Sequence, residues 1–173
     1  LWATCNVGAP RDDFEGMFYA WGDITYNKRD FTWDNYAWGY TSDYDYKEIT
    51  TKYNGSDEKR ALEAEDDPAT VVWGGKWRTP TYEEIYELFE KCDWKWEYLN
   101  SVPGCRVTSR TNGKSIFLPA AGYCEHATTY HLFLIGHYWT SSLNPDATLG
   151  AYAFYFSAGH KDVYSAPRSL GFS

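Results

Sequence analysis

The chain has 173 residues, with 16 Lys and Arg against 24 Asp and Glu, and aromatic residues make up 20% of it. That length suits a single domain with a real core, while a net charge of −8 argues against nucleic-acid binding, which needs a basic footprint. No apolar run is long enough to span a membrane and no signal peptide is visible; beginning at Leu1 rather than Met, the chain reads as a processed form, an excised domain or a fragment.

In chain order, Leu1 to Val7 reads as an opening strand closed by Gly8-Ala-Pro10. Residues 17 to 55 are aromatic and turn-rich without periodicity, which predicts short strands and ordered loops. Asp57 to Glu65 reads as one or two helical turns. Asp66-Asp-Pro68 ends that turn and caps another, since Asp caps well and Pro suits the first helical position. In Trp73-Gly-Gly-Lys-Trp-Arg-Thr-Pro-Thr81 the glycines permit close backbone approach. Thr81 and Glu84 then make a capping box, and Ile85, Leu88, Phe89 and Cys92 recur at helical spacing. This predicts a helix over 81–92 with Ile85, Leu88 and Phe89 buried, and Trp73 and Trp77 packed near it.

Asn112-Gly113 between Arg106–Ser109 and Ser115–Leu118 predicts a hairpin with positive φ at Gly113. Tyr138 to Ser142 and Ala151 to Ser157 read as strands. Alternation in the second puts Tyr152, Phe154 and Phe156 on the core side and Ala153, Tyr155 and Ser157 on the opposite face. Gly159 turns the chain toward a last segment that contains Val163 and ends at Gly171-Phe-Ser173. No linker, repeat or low-complexity tract interrupts 1–173, so one domain is expected.

The chemistry-bearing residues favour recognition over catalysis. All four histidines, His126, His131, His137 and His160, follow Cys124, at spacings that match no helical zinc pair. The acidic pairs Asp12-Asp13, Asp43/Asp45 and Asp66-Asp67 lie in no EF-hand loop and read as solvated or capping carboxylates; no cofactor is expected, with a structural calcium left open. Cys5, Cys92, Cys105 and Cys124 allow three full pairings and settle none, although an exported setting permits a bridge. Neither a Gly-x-Ser-x-Gly elbow nor a phosphate-cradling loop is present. The acid excess sits mostly in 11–67, whereas 124–173 is nearly neutral and carries Tyr and His.

Six motifs in order carry a family resemblance. They are Leu1-Trp-Ala-Thr-Cys-Asn-Val-Gly-Ala9, Tyr19-Ala-Trp-Gly22, the Trp73–Thr81 stretch, Cys92-Asp-Trp-Lys-Trp96, Asn112-Gly-Lys-Ser-Ile-Phe-Leu-Pro-Ala-Ala-Gly-Tyr123 and Tyr138-Trp-Thr-Ser-Ser142. From Leu1 to Ser173 the chain resembles the Fibrobacter succinogenes major paralogous domain, found in surface and secreted proteins of Bacteroidetes and their relatives and in some of their phages. The resemblance implies an α+β, C-type-lectin-like fold of short twisted antiparallel sheets, one or two short helices and long ordered loops. It implies an extracellular, cell-surface or virion setting, with a protein or glycan ligand on a cell surface. Formylglycine-generating enzymes share that fold, but their late cysteine pair has no counterpart after Cys124, so their activity does not carry over. The calcium-ligating triplets of sugar-binding C-type lectins are also absent.

Some members of this family are linked to diversity-generating retroelements. Their C-terminal region interleaves fixed residues with variable ones that arise by adenine-targeted mutation of Asn-type codons. Residues similar to the fixed set stand at Gly136, Tyr138-Trp139, Ser141-Ser142, Ala151-Tyr152, Phe156, Gly159, Val163, Arg168 and Gly171-Phe-Ser173. Between them fall Tyr130, His131, His137, Ala153, Tyr155, Ser157, His160, Asp162, Tyr164, Ser165, Ala166 and Leu170, each reachable from an Asn codon. These twelve are the candidate ligand-binding residues; Glu125 and Lys161 are not reachable and lie outside the set. Eight of them (Tyr130, His131, His137, Tyr155, His160, Asp162, Tyr164 and Leu170) are expected to form one patch with little net charge. Two alternatives stand beside this reading: a non-diversified structural module of a bacterial surface protein, and an enzyme on a formylglycine-generating-enzyme-like fold.

Overall fold

Aperiodic, turn-rich sequence fills the first third of the chain, and it folds as loops around two very short strands. The computed structural model describes residues 1–173. It is an α+β fold of four small antiparallel sheets and two short helices. Strands β1 (Gly39–Thr41) and β2 (Glu48–Thr50) form a hairpin, and helices α1 (Pro68–Trp73) and α2 (Tyr82–Lys91) follow. Next come β3 (Cys92–Leu99), β4 (Val102–Ser109) and β5 (Ser115–Pro119), paired in that order, and then the small hairpin of β6 (Tyr123–Glu125) and β7 (Thr128–Tyr130). Strands β8 (Gly136–Leu143), β9 (Gly150–Phe156) and β10 (Lys161–Pro167) form the last sheet, with β9 in the middle.

The two helices start where their caps dictate. The Asp67 carboxylate accepts from the Ala69 and Thr70 amides, with Pro68 in the first turn. The same buried carboxylate also takes the Thr79 amide and hydroxyl, each at 2.8 Å, and so ties the 78–80 segment to α1. Both halves of the Thr81/Glu84 capping box form, and Glu84 additionally holds Arg78 through two bonds of 2.8 and 2.7 Å. Ile85 and Leu88 are buried and Phe89 half-buried, while Trp73 and Trp77 pack edge to face at 5.5 Å beside the start of α2.

Turn chemistry places the hairpins. Gly113 has φ of +71°, as expected, but Asn112 is not left-handed, and the Ser109 amide bonds the Lys114 carbonyl around a four-residue loop. The tight two-residue turn is at Asn100-Ser101, with φ of 48° and 71°, which pairs Leu99 directly with Val102. Two expected elements do not form. Leu1 to Val7 makes no strand, since Val7 alone takes a sheet-like bond from Met17, and the Asn6 side chain instead donates to the Glu15 carbonyl and the Tyr138 hydroxyl. Asp57 to Glu65 makes no helix. There the Asp57 carboxylate captures the amides of Tyr53, Asn54 and Lys59, local bonds that compete with a helical ladder.

The last sheet is covered on both faces. Tyr138, Phe154 and Phe156 pack against Ile85 and Leu88 of α2 and against Cys105 and Val107 of β4. Trp139, Ala151, Ala153 and Ala166 pack on the other side against Trp21, Tyr53 and Phe172, with Trp139 and Phe172 stacked at 4.2 Å. Ala153 and Ala166, expected among the ligand-binding residues, are 0% and 1% exposed. Strand parity put Ala153 on the right side, but Trp139 and Phe172 cover that side, and only small side chains leave room for them.

Arg168 binds the loops to the end of β10. Wholly buried, its guanidinium meets no carboxylate. Nε donates to the Tyr36 hydroxyl (2.9 Å), Nη1 to the Tyr53 and Thr148 carbonyls (3.1 and 3.0 Å), and Nη2 to the Lys52 carbonyl (2.9 Å). The Trp21 ring lies 4.9 Å from its carbon, at cation–π range. Lys52 in turn meets Asp66 at 2.6 Å, and the Tyr53 hydroxyl donates to the same carboxylate.

Arg168→Lys is expected to destabilise the chain by about 3 kcal/mol or more in urea denaturation, because one ammonium cannot answer four oxygens on three segments. Gly113→Val is expected to cost about 1 kcal/mol through its left-handed φ alone, since nothing lies within 4 Å of a Cβ there. Gly104→Ala is expected to cost more, because its Cβ would press into the Leu118 carbonyl oxygen.

Candidate functional site

Where Phe172 and the alanines stop filling the outer face of the last sheet, rings take over. His137, Tyr155 and Asp162 are direct cross-strand partners on β8, β9 and β10, one step beyond the Trp139–Ala153–Tyr164 row. The β6–β7 hairpin lies against this end of the sheet. Tyr123 stacks on its strand partner Tyr130 at 5.3 Å and meets His137 edge-on at 5.2 Å. The loop after β7 brings His131, whose ring lies near-parallel to His137 at 6.5 Å. Tyr123, His131, His137 and Tyr155, together with Glu125, Ile135, Tyr164, Leu170 and Phe172, line an open pocket of about 350 Å³, with Tyr130 and Asp162 just outside it.

At the outer rim His160 stacks on Tyr155 at 5.4 Å, and its Nδ1 lies 3.0 Å from the Tyr155 hydroxyl. Asp162 is exposed beside Tyr155, its carboxylate taking the Val163 amide at 2.8 Å. Ser157 sits in the turn between β9 and β10, where its amide bonds the His160 carbonyl at 2.8 Å. The fold thus gathers Tyr130, His131, His137, Tyr155, Ser157, His160, Asp162, Tyr164 and Leu170 around one end of the sheet. It does not bring Ser165 there. Ser165 pairs with Tyr152 on the opposite parity, and its hydroxyl accepts from the Asn144 amide at 2.9 Å.

His137 forms the floor. Its Nδ1 is 2.7 Å from the Tyr164 hydroxyl, whereas Nε2 is buried and has no hydrogen-bond partner. No other buried side-chain nitrogen or oxygen in the chain is left this way. Burial, with His131 as a second cause, pushes the imidazole down to about 4, so it is neutral at ordinary pH. Burial raises the Tyr164 phenol above its usual range, so the hydroxyl keeps its proton.

Several lining groups lie outside the expected set. Tyr123 and Phe172 stand within motifs that read as framework, and Ile135 precedes β8. Beside the pocket, Leu132, Phe133 and Leu134 are exposed, the last two by 50% and 64%. The unbroken apolar run from Leu132 to Ile135 was the signal available for them.

The neutral His137 has a consequence for stability. In the unfolded chain its imidazole takes a proton near pH 6.5, while in the folded chain it resists until about 4. Stability is unaffected by this group above the unfolded value and is lost as pH falls from there toward the folded one. His137→Phe is expected to gain on the order of 2 kcal/mol relative to the unsubstituted chain between about pH 7.5 and about pH 4.5, after allowance for the pocket's open side. Urea denaturation at the two pH values measures it.

No group of three or more His, Cys, Asp or Glu side chains is placed to hold a metal ion, and no helix is long and apolar enough to cross a membrane. Compared with family models, with curated proteins and with solved structures, the chain finds no match.

Proposed function

We propose that this chain is a ligand-recognition domain with a C-type-lectin-like fold, displayed outside the cell or on a virion, whose ligand occupies the pocket above His137. One observation carries the reading: rings from β6, β8, β9, β10 and the chain end converge on a single open pocket whose floor holds an unanswered buried nitrogen. Ring-rich concavities with few, placed polar groups are the usual form of a binding site. Rigid aromatic side chains also give large contact area at low entropic cost. The resemblance to the Fibrobacter succinogenes major paralogous domain supports the same reading, and with it the α+β arrangement of short antiparallel sheets and two helices. Recognition is favoured over catalysis because the pocket pairs its neutral histidine with a phenol that keeps its proton, and no nucleophile stands beside an activated base.

If the C-terminal region is diversified by a retroelement, the positions free to vary are those around the pocket and the exposed Ser165, since Ala153 and Ala166 are packed in the core. A reverse-transcriptase gene beside a near-copy of the DNA encoding 124–173 decides that part of the proposal.

For binding itself, the chain is incubated with protein and glycan arrays. The double variant Tyr130→Ala/Tyr155→Ala is expected to lose about 30-fold or more in affinity with an unchanged circular dichroism spectrum. Undiminished binding by this variant, or loss on changing Tyr44 and Tyr46 of the β1–β2 loop instead, sinks the assignment.

A further inference from the structure

We propose that the ligand is a protein, which inserts one tyrosine side chain into the His137 pocket and covers the apolar tip formed by Leu132, Phe133 and Leu134. This rests on the recognition reading above and names its ligand class.

The floor of the pocket selects for an oxygen. The Tyr164 hydroxyl has His137 Nδ1 as its one hydrogen-bond partner, so the arrangement that leaves fewest groups unpaired has the phenol donating to Nδ1. Nε2 then carries the imidazole proton and is a buried donor with nothing to receive it. Leaving such a donor unpaired is costly, and a ligand oxygen admitted by a small shift of the rings above it recovers that cost. The walls select for a ring. Tyr123, Tyr155, Tyr164 and Phe172 present π surfaces, which favour offset or edge-on contact with another aromatic group. At about 350 Å³ the pocket stands at the small end of ligand sites. It suits one side chain rather than an extended ligand.

A pyranose fits these walls poorly. Its hydroxyls surround the ring, and beyond His137 the pocket offers little besides Glu125, His131 and phenol edges to answer them. Stranding the remainder is costly.

The tip beside the pocket points the same way. Leu132, Phe133 and Leu134 are 38%, 50% and 64% exposed, a run of apolar side chains that water does not favour. The backbone holds them there under strain. His131 and Phe133 have φ of 53° and 65°, a region costly for side chains of this size. The Phe133 amide is pinned to the Ala120 carbonyl at 2.8 Å and the Ile135 amide to the His131 carbonyl at 3.1 Å. A fixed apolar rim around a polar-floored pocket is the anatomy of a protein interface, with an anchor side chain at its centre. A lipid surface is a weaker match, because no Lys or Arg lies between Ser115 and Gly159 to draw the tip toward anionic headgroups.

The test uses labelled chain and soluble probes, read by the NMR resonances of the His137, Tyr155 and Tyr164 rings. N-acetyl-tyrosinamide is expected to shift them saturably, and N-acetyl-phenylalaninamide to bind about fivefold more weakly for want of one hydrogen bond. His137→Phe is expected to make the two probes equal. Peptides selected on the immobilised chain from a random library are expected to converge on a tyrosine flanked by apolar residues. Phe133→Ser/Leu134→Ser is expected to weaken these peptides about tenfold, and N-acetyl-tyrosinamide, which does not reach across the tip, far less.

Equal binding of the two amides by the unsubstituted chain overturns the tyrosine assignment, and that comparison needs no variant. Shifts of the same rings by a methyl pyranoside but by neither amide overturn the protein partner and leave recognition at this pocket standing. Sedimentation with phosphatidylcholine–phosphatidylglycerol vesicles that Leu134→Ser abolishes also overturns it, in favour of a membrane. If no probe moves these rings and an array ligand binds unchanged to the Tyr130→Ala/Tyr155→Ala variant, the recognition reading itself falls.

Discussion

A guanidinium enclosed without a counter-ion sets the terms for the rest of the fold. The Arg168 guanidinium is wholly buried, so its charge must be answered by whatever surrounds it. Here three main-chain carbonyls, one phenol and the faces of aromatic rings do so. Each oxygen comes from a segment with little regular structure of its own: Tyr36 after the first short turn, Lys52 and Tyr53 after β2, and Thr148 before β9. One side chain thus ties together three loops that also bury rings of their own, Tyr36 and Tyr53 among them. Because Arg168 directly follows β10, the same bonds fix the course of the chain through Leu170 and Phe172, and so the back wall of the pocket.

The pocket exists because the last sheet is used twice along its length. In its inner rows Ala151, Ala153 and Ala166 leave room for Trp139, Trp21 and Phe172, and the face is solid core. In its outer row Tyr155 follows the small Ala153, and the pocket stays open between His137, Tyr155 and the β6–β7 hairpin beside them. Phe172 belongs to both regions, closing the core on one side and lining the pocket on the other. The reverse face, packed on α2 and β4, fixes the position of the strands beneath. The rings of the pocket therefore stand on a sheet whose geometry is set elsewhere, which limits how far they can move.

Local chemistry was legible in the sequence and distant cover was not. The Thr81/Glu84 box, the Asp67 cap and the left-handed Gly113 each depend on a few neighbouring residues, and each forms. The grouping of His131, His137, Tyr155 and Tyr164 could be anticipated from strand parity together with the family resemblance. Parity says which face a residue takes; it does not say whether another segment lies on that face. Ala153 is buried by residues as far away as Trp21 and Phe172, and no pattern within β9 records their arrival. The same limit applies to His137, whose missing partner is visible only once Tyr164, 27 residues on, has taken its other nitrogen. At Asp57 the failure was of another kind, because the carboxylate that opens a segment reading as helical spends its oxygens on three nearby amides.

The four cysteines are all free thiols, two of them deep in the core, with burial pushing Cys105 up to about 11 and raising Cys124 as well. Such thiols carry almost no thiolate, the form that oxidises or exchanges. The chain's order comes from packed rings and the Arg168 bonds, which are indifferent to the redox potential around them. It can reach its final shape without waiting for an oxidant or for the reshuffling of mispaired sulfurs, steps that take seconds to hours. Those contacts therefore hold alike in reducing and in oxidising surroundings, with no bond the fold depends on to make or break between the two.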